Sequence, residues 1–228
     1  MEQTQTERRS REEPLSQLLD ELGSGLLSQL AKIMTLLAEG RPVAIQRVAD
    51  RLLLSEEDAK SWLVDLGAEF DAAGDLIGLG LTSVPTPHAF RVNGHDLYAW
   101  CAGDTLLFPA ILGMTAQVES SDPISGAKIR FTATPQGARG VEPRTAVLTW
   151  PKHADSSDIR GSVCYPSLWF ASPETAQSYA SKNNGLTVRT PDEFNELLKI
   201  VPEKLGAQST PKKTKAGLSC ASASPECR

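Results

Sequence analysis

The chain has 228 residues, 40% of them hydrophobic, which suits one medium-sized domain or a small module leaning on a larger one. Its 23 Lys and Arg against 28 Asp and Glu leave a net charge of −5, which argues against nucleic acid or an anionic membrane as the main partner. Charges and glycines interrupt the longest apolar stretches well short of a membrane span, and residues 1–14 lack the apolar centre of a signal peptide, so the expected setting is the cytoplasm.

Residues 1–14 read as a flexible arm. Leu15, Leu18, Leu19, Leu22, Leu26, Leu30, Ile33, Met34 and Leu37 recur at helical spacing, with Gly23-Ser24-Gly25 able to split the run in two. Ala44–Leu54 reads as a second helix and the segment after Ser55, its expected N-cap, as a third. Short strands are expected at Leu76–Leu81 and Ala89–Val92, and helices followed by a small hairpin describe a winged-helix-like module over residues 15–95. The third helix carries Glu56, Glu57, Asp58 and Asp65 against Lys60, the wrong charge for a DNA-recognition helix, so the module reads as a packing unit.

Residues 97–114 are apolar and read as mainly helical, with Pro109 inside or at an edge. Beyond Gly113 the texture becomes strand-like: Thr115–Glu119, Lys128–Ala133, Ala146–Trp150, and Ser162–Cys164 continuing to Leu168–Phe170. Two helices follow near Pro173–Lys182 and Pro191–Val201. The expected class is α+β, with the winged-helix-like helical module packed on a mixed α/β core of antiparallel strands at residues 96–205. Residues 206–228, rich in Ser, Ala, Lys and Pro, read as a disordered tail.

Four cysteines are present, Cys101, Cys164, Cys220 and Cys227, and none forms a CxxC pair, which removes support for zinc-ribbon and thioredoxin readings. In a reducing compartment they are thiols, suited to soft-metal chemistry. Asp104 follows Cys101 by three residues. In a helix the two share a face; if a turn precedes the helix, Asp104 could be its N-cap, and Cys101 would sit where a thiol pKa tends to fall. The competing reading is a small buried hydrophobe beside a capping carboxylate. Cys164 has the same alternative as a buried strand residue, and spacing alone does not bring it to Cys101. His88, His95 and His153 show no metal-ligand spacing.

The run Leu97-Tyr98-Ala99-Trp100-Cys101-Ala102-Gly103-Asp104-Thr105-Leu106-Leu107-Phe108-Pro109-Ala110 closely resembles the active-site segment of alkylmercury lyases. Gly40-Arg41-Pro42-Val43, Gly80-Leu81-Thr82, Val141-Glu142-Pro143, Phe170-Ala171-Ser172 and Ala180-Ser181-Lys182 resemble further family segments in the same order, so the likeness spans residues 15–200. It implies that Cys101 and Cys164 are catalytic, mercury-binding thiolates and that Asp104 is the proton donor. It also implies a winged-helix-like N-terminal part and no organic cofactor. Mercury is then substrate and product, small external thiols assist release, and Hg(II) passes to mercuric reductase within a bacterial mercury-resistance operon. Two departures stand out: Ser120-Ser121-Asp122-Pro123 occupies a loop where many members carry another cysteine, and Cys164-Tyr165 stands where some have a Cys–Cys pair.

The chemistry matches those residue types. Mercury prefers thiolates to oxygen ligands, and a second thiolate pushes electron density onto the mercury-bound carbon until it accepts a proton. A carboxyl group in an apolar pocket, with Leu107, Phe108 and Trp169 as expected neighbours, keeps its proton more readily and can supply it. Alternative functions are a mercury-responsive winged-helix regulator, a thiol-based metal-binding protein and, against the missing CxxC, a thiol oxidoreductase. Cys220 and Cys227 are either incidental exposed thiols or a mobile relay for Hg(II).

Overall fold

A computed structural model describes residues 14–205. The expected tail, with Cys220 and Cys227, and all of the expected arm except Pro14 lie outside the described residues. Helix α1 (Pro14–Leu37) breaks at Gly23, whose φ of 70° and ψ of 156° only glycine adopts freely. Helices α2 (Ile45–Leu52) and α3 (Glu56–Asp65) follow, and Ser55 caps α3 by accepting the Asp58 N–H at 3.1 Å.

Strands β1 (Glu69–Phe70), β2 (Leu76–Leu79), β3 (Leu81–Thr82), β4 (His88–Val92) and β5 (His95–Ala99) come next. The buried helix α4 (Ala102–Leu112) then leads into β6 (Ala116–Ser121), β7 (Lys128–Thr134), β8 (Gly137–Glu142) and β9 (Val147–Pro151). A π-helical turn, Arg160–Cys164, precedes β10 (Trp169–Phe170), α5 (Pro173–Lys182), β11 (Leu186–Arg189), α6 (Pro191–Leu198) and α7 (Val201–Lys204).

The strands form two antiparallel sheets, one ordered β1-β2-β3-β5-β4-β6-β7-β8 and one ordered β10-β9-β11. The strands that a winged-helix reading would assign to the wing are therefore part of the large sheet, with β4 in its interior between β5 and β6. Position 95/96, the expected domain boundary, lies in β5, which pairs with β3 on one side and β4 on the other. Period-two alternation puts Phe90, Val92, Val118, Ile129 and Phe131 on the buried face. Helix α4 packs across that face and also meets α1, α6 and α7, which is why it is apolar on nearly every side. No helix among the described residues is long and apolar enough to cross a membrane.

Two expectations are corrected. Residues 97–99 are strand, because Asn93 (φ 52°) and Gly94 (φ 80°) make the tight turn that pairs Val92 with His95. Ser162–Cys164 is not strand: the Gly161 N–H donates to Asp158 Oδ1 at 2.9 Å and the Ser162 N–H to the Asp158 carbonyl at 2.9 Å, which winds the segment into the π turn.

Candidate functional site

Cys101 leaves β5 in extended conformation (φ −147°, ψ 171°) and is itself the N-cap of α4. Its Sγ accepts the Asp104 N–H at 3.4 Å, so Asp104 lies in the first turn and is not the cap. The glycine between them is required by packing: a Cβ on Gly103 would come within 2.3 Å of the Trp150 ring. The helix start can thus settle directly on β9.

Cys164 ends the π turn, 60 residues beyond Asp104. Its segment is tied to the other by main chain, since the Ala102 N–H donates to the Ser167 carbonyl at 2.9 Å and the Ser167 N–H to the Cys164 carbonyl at 3.1 Å. Side chains reinforce the join: Trp169 Nε1 donates to Thr105 Oγ1 at 3.1 Å, and Thr149 Oγ1 donates to the Pro166 carbonyl at 2.6 Å.

The outcome is one cluster of Cys101 Sγ, an Asp104 carboxylate oxygen and Cys164 Sγ, all within 4.8 Å of one another. Cys164 Sγ stands 4.0 Å from Asp104 Oδ2. Two sulfurs and one oxygen at this spacing suit a soft, thiophilic cation. The histidines stay apart from the cluster. His88 is buried, with Nδ1 3.0 Å from Ser120 Oγ, and burial lowers its pKa to about 4.

Burial raises the Cys101 thiol well above the usual thiol range, with contributions from the neighbouring Cys164 thiol and the Asp104 charge. The Asp104 N–H pulls the other way but is outweighed, so the lowered pKa expected of a thiol at a helix start is not realised. Burial also raises Asp104 to about 7, opposed by its hydrogen bonds with Cys101. Cys101 thus keeps its proton until a cation displaces it, whereas Asp104 can take up or give back a proton near neutral pH.

Asp104 and Cys164 line a cavity of about 130 Å³. Its wall comes from Leu19, Leu27 and Met34 of α1 and from Leu107, Phe108 and Ile111 of α4, with Trp100 and Arg160 also lining it. Leu107 and Phe108 are neighbours the sequence identifies. Trp169 is instead buried against Phe131, with ring centroids 5.0 Å apart. The α1 residues and Arg160 escaped sequence reasoning: helical periodicity says that α1 has an apolar face but not what it covers, and no local pattern marks Arg160, two residues after Asp158.

The cysteine-free loop after β6 is held by Asp122. Its carboxylate accepts the N–H groups of Ile124 (2.8 Å), Ser125 (3.1 Å) and Ala171 (3.0 Å) and the Thr175 hydroxyl (2.9 Å).

Residues 81–199 match the family model described as alkylmercury lyase (MerB). Among named relatives, the alkylmercury lyase of Staphylococcus epidermidis is 37% identical over 166 residues, covering 72% of this chain and 77% of its own. That of Pseudomonas putida is 38% identical over 170 residues, 74% of this chain and 80% of its own, and that of Streptomyces lividans 35% over 180 residues, 78% and 84% respectively. A solved structure titled as the mercury-bound form of MerB2 aligns with a TM-score of 0.67 at 20% identity, covering 78% of this chain and 91% of that one, a likeness of fold.

Proposed function

The chain belongs to the alkylmercury lyase family, enzymes that cleave organomercurials, and on that premise we propose that Cys101, Cys164 and Asp104 break the carbon–mercury bond by protonolysis. The observation that carries the reading is the convergence of two thiols and a carboxyl group within 4.8 Å, with Cys164 and Asp104 lining an apolar cavity.

In the proposed sequence R–Hg⁺ displaces the Cys101 proton, which leaves to solvent, and forms the first sulfur–mercury bond. Cys164 adds next, passing its proton to the Asp104 carboxylate 4.0 Å away. The bis-thiolate R–Hg species is anionic, and its carbon is basic. Asp104 returns the proton to that carbon while the carbon–mercury electron pair becomes the new C–H bond. Hydrocarbon R–H departs, Hg(II) remains on two sulfurs, and Asp104 is again a carboxylate. One R–Hg⁺ and two thiols give R–H, a neutral dithiolate of Hg(II) and one H⁺. No cofactor is needed, because mercury is the substrate and the product. Small thiols then assist release, and mercuric reductase is the proposed acceptor in a mercury-detoxifying cytoplasm.

Purified protein incubated with phenylmercury and excess thiol is expected to release benzene, measured by gas chromatography. Failure to release benzene above the protein-free control would refute the reading.

A further inference from the structure

We propose that Arg160 is a positioning residue that sets the separation of the two sulfurs by clamping the Cys164 turn onto Trp100, an inference that rests on the lyase reading. Arg160 opens the π turn that ends in Cys164, and the turn closes through the Tyr165 N–H donating to the Arg160 carbonyl at 2.9 Å. Its guanidinium carbon lies 4.2 Å from the ring centroid of Trp100, the neighbour of Cys101. Its Nη2 donates to Glu69 Oε1 at 2.7 Å, and Glu69 Oε2 accepts the Thr82 hydroxyl at 2.5 Å. Three separate pieces of chain therefore meet on one side chain: β1, the Trp100–Cys101 segment and the Cys164 turn.

The Cys164 segment has two ends to hold. Its far end is fixed by main chain, through Ala102 and Ser167. The near end at Arg160 has the stack on Trp100 and the ion pair with Glu69. The Arg160 Nε is buried without a hydrogen-bond partner among the described residues, a cost that a side chain serving only as a surface charge would avoid. A planar guanidinium can stack on an indole and bind a carboxylate at once, whereas a lysine ammonium makes a point contact. Capture of R–Hg⁺ needs one sulfur, but cleavage needs both on the same mercury. The clamp therefore acts on the second event.

The test compares full-length wild type with Arg160→Met, Arg160→Lys and Glu69→Gln, using phenylmercury as the probe. Three quantities are read: phenylmercury retained after gel filtration, single-turnover benzene release, and the number of sulfurs on bound Hg(II) by X-ray absorption. Arg160→Met and Arg160→Lys are expected to retain phenylmercury in full while benzene release falls at least about tenfold, the scale on which small misplacements of reacting groups act. Bound Hg(II) in both should lose sulfur coordination relative to wild type. Glu69→Gln keeps the stack and should fall between them and wild type, which keeps the test alive if the arginine variants fail to fold. Benzene release by Arg160→Met within about twofold of wild type, or equal losses of capture and cleavage, would overturn the clamp. So would full rescue by Arg160→Lys, since charge alone would then suffice. Absence of benzene from wild type would instead defeat the lyase reading, so the two failures are distinguishable.

Discussion

The Sγ of Cys164 stands 4.0 Å from Oδ2 of Asp104, although 60 residues separate them in the chain. The contact places a thiol proton beside the group proposed to deliver it to carbon. It also makes the roles of the three side chains separable by experiment.

Cys101→Ser is expected to reduce benzene release from phenylmercury to the protein-free background while leaving thermal unfolding nearly unchanged. Cys164→Ser should also fail to cleave, yet retain one equivalent of phenylmercury after gel filtration. Turnover by either variant at more than a few per cent of wild type would remove that cysteine from the mechanism.

Asp104→Asn preserves size and removes the proton. Both sulfurs remain, so the variant should still capture phenylmercury and quench the fluorescence of Trp100, the neighbour of Cys101. Benzene release should then fall by roughly 10²–10⁴-fold, the usual loss for a positioned acid–base group. Wild-type activity with Asn would make water or a thiol the donor, and loss of quenching would make Asp104 a builder of the thiolate site.

Burial holds Asp104 at about 7, above its ordinary value of 3.8. A raised carboxyl pKa means that the fold favours the protonated acid. The stability this confers is complete below the ordinary value and is lost as pH rises through about 7. The proposed sequence starts from the Asp104 carboxylate, so single-turnover cleavage at saturating phenylmercury should rise across the same window, a rise that belongs to the Cys101–Asp104–Cys164 set rather than to one group. A rate that instead falls as pH rises through 7 would mean that Asp104 must enter the reaction already protonated.

Gly103→Ala drives a methyl group toward the Trp150 ring, to 2.3 Å if nothing moves. The expected cost is about 1–3 kcal/mol in urea unfolding, typical of overpacking. Asp104 rides on the next residue of α4, so cleavage should fall by more than phenylmercury capture does. Unchanged stability and activity would show that Trp150 can yield without moving the helix.

Asp122→Ala removes an acceptor of four hydrogen bonds. Burial would raise this carboxyl, but those bonds together hold it below its ordinary value. Its stabilisation is therefore present above that value and is lost as pH falls through the lowered one. At neutral pH the variant should be less stable by about 2–4 kcal/mol, with cleavage per folded molecule retained. Loss of cleavage without loss of stability would tie the loop to the chemistry.

Much of the fold was legible where local chemistry decides structure. Ser55 announced α3, Gly23 divided α1, and alternating residues located β6 and β7. Strand β5 was obscured because Leu97-Tyr98-Ala99 continues without interruption into the apolar helix α4. The decisive signal was Asn93-Gly94, two residues earlier. Cys101 and Asp104 were legible through a specific motif, but no local pattern connects them to Cys164, since that contact depends on the packing of β9, β10 and α4. The cavity wall from α1 was illegible for the same reason.

The cavity beside Asp104 and Cys164 is walled largely by hydrocarbon side chains from α1 and α4. Such a space favours solutes by oil–water partition before any bond to sulfur forms. On the proposed reading a neutral organomercury complex would enter on the strength of its organic group, whereas hydrated inorganic Hg(II) would have to shed water first. After cleavage the same preference would divide the products: the hydrocarbon, with no polar tie to the protein, would leave by diffusion, while the metal would stay on the two sulfurs until another thiol reached it.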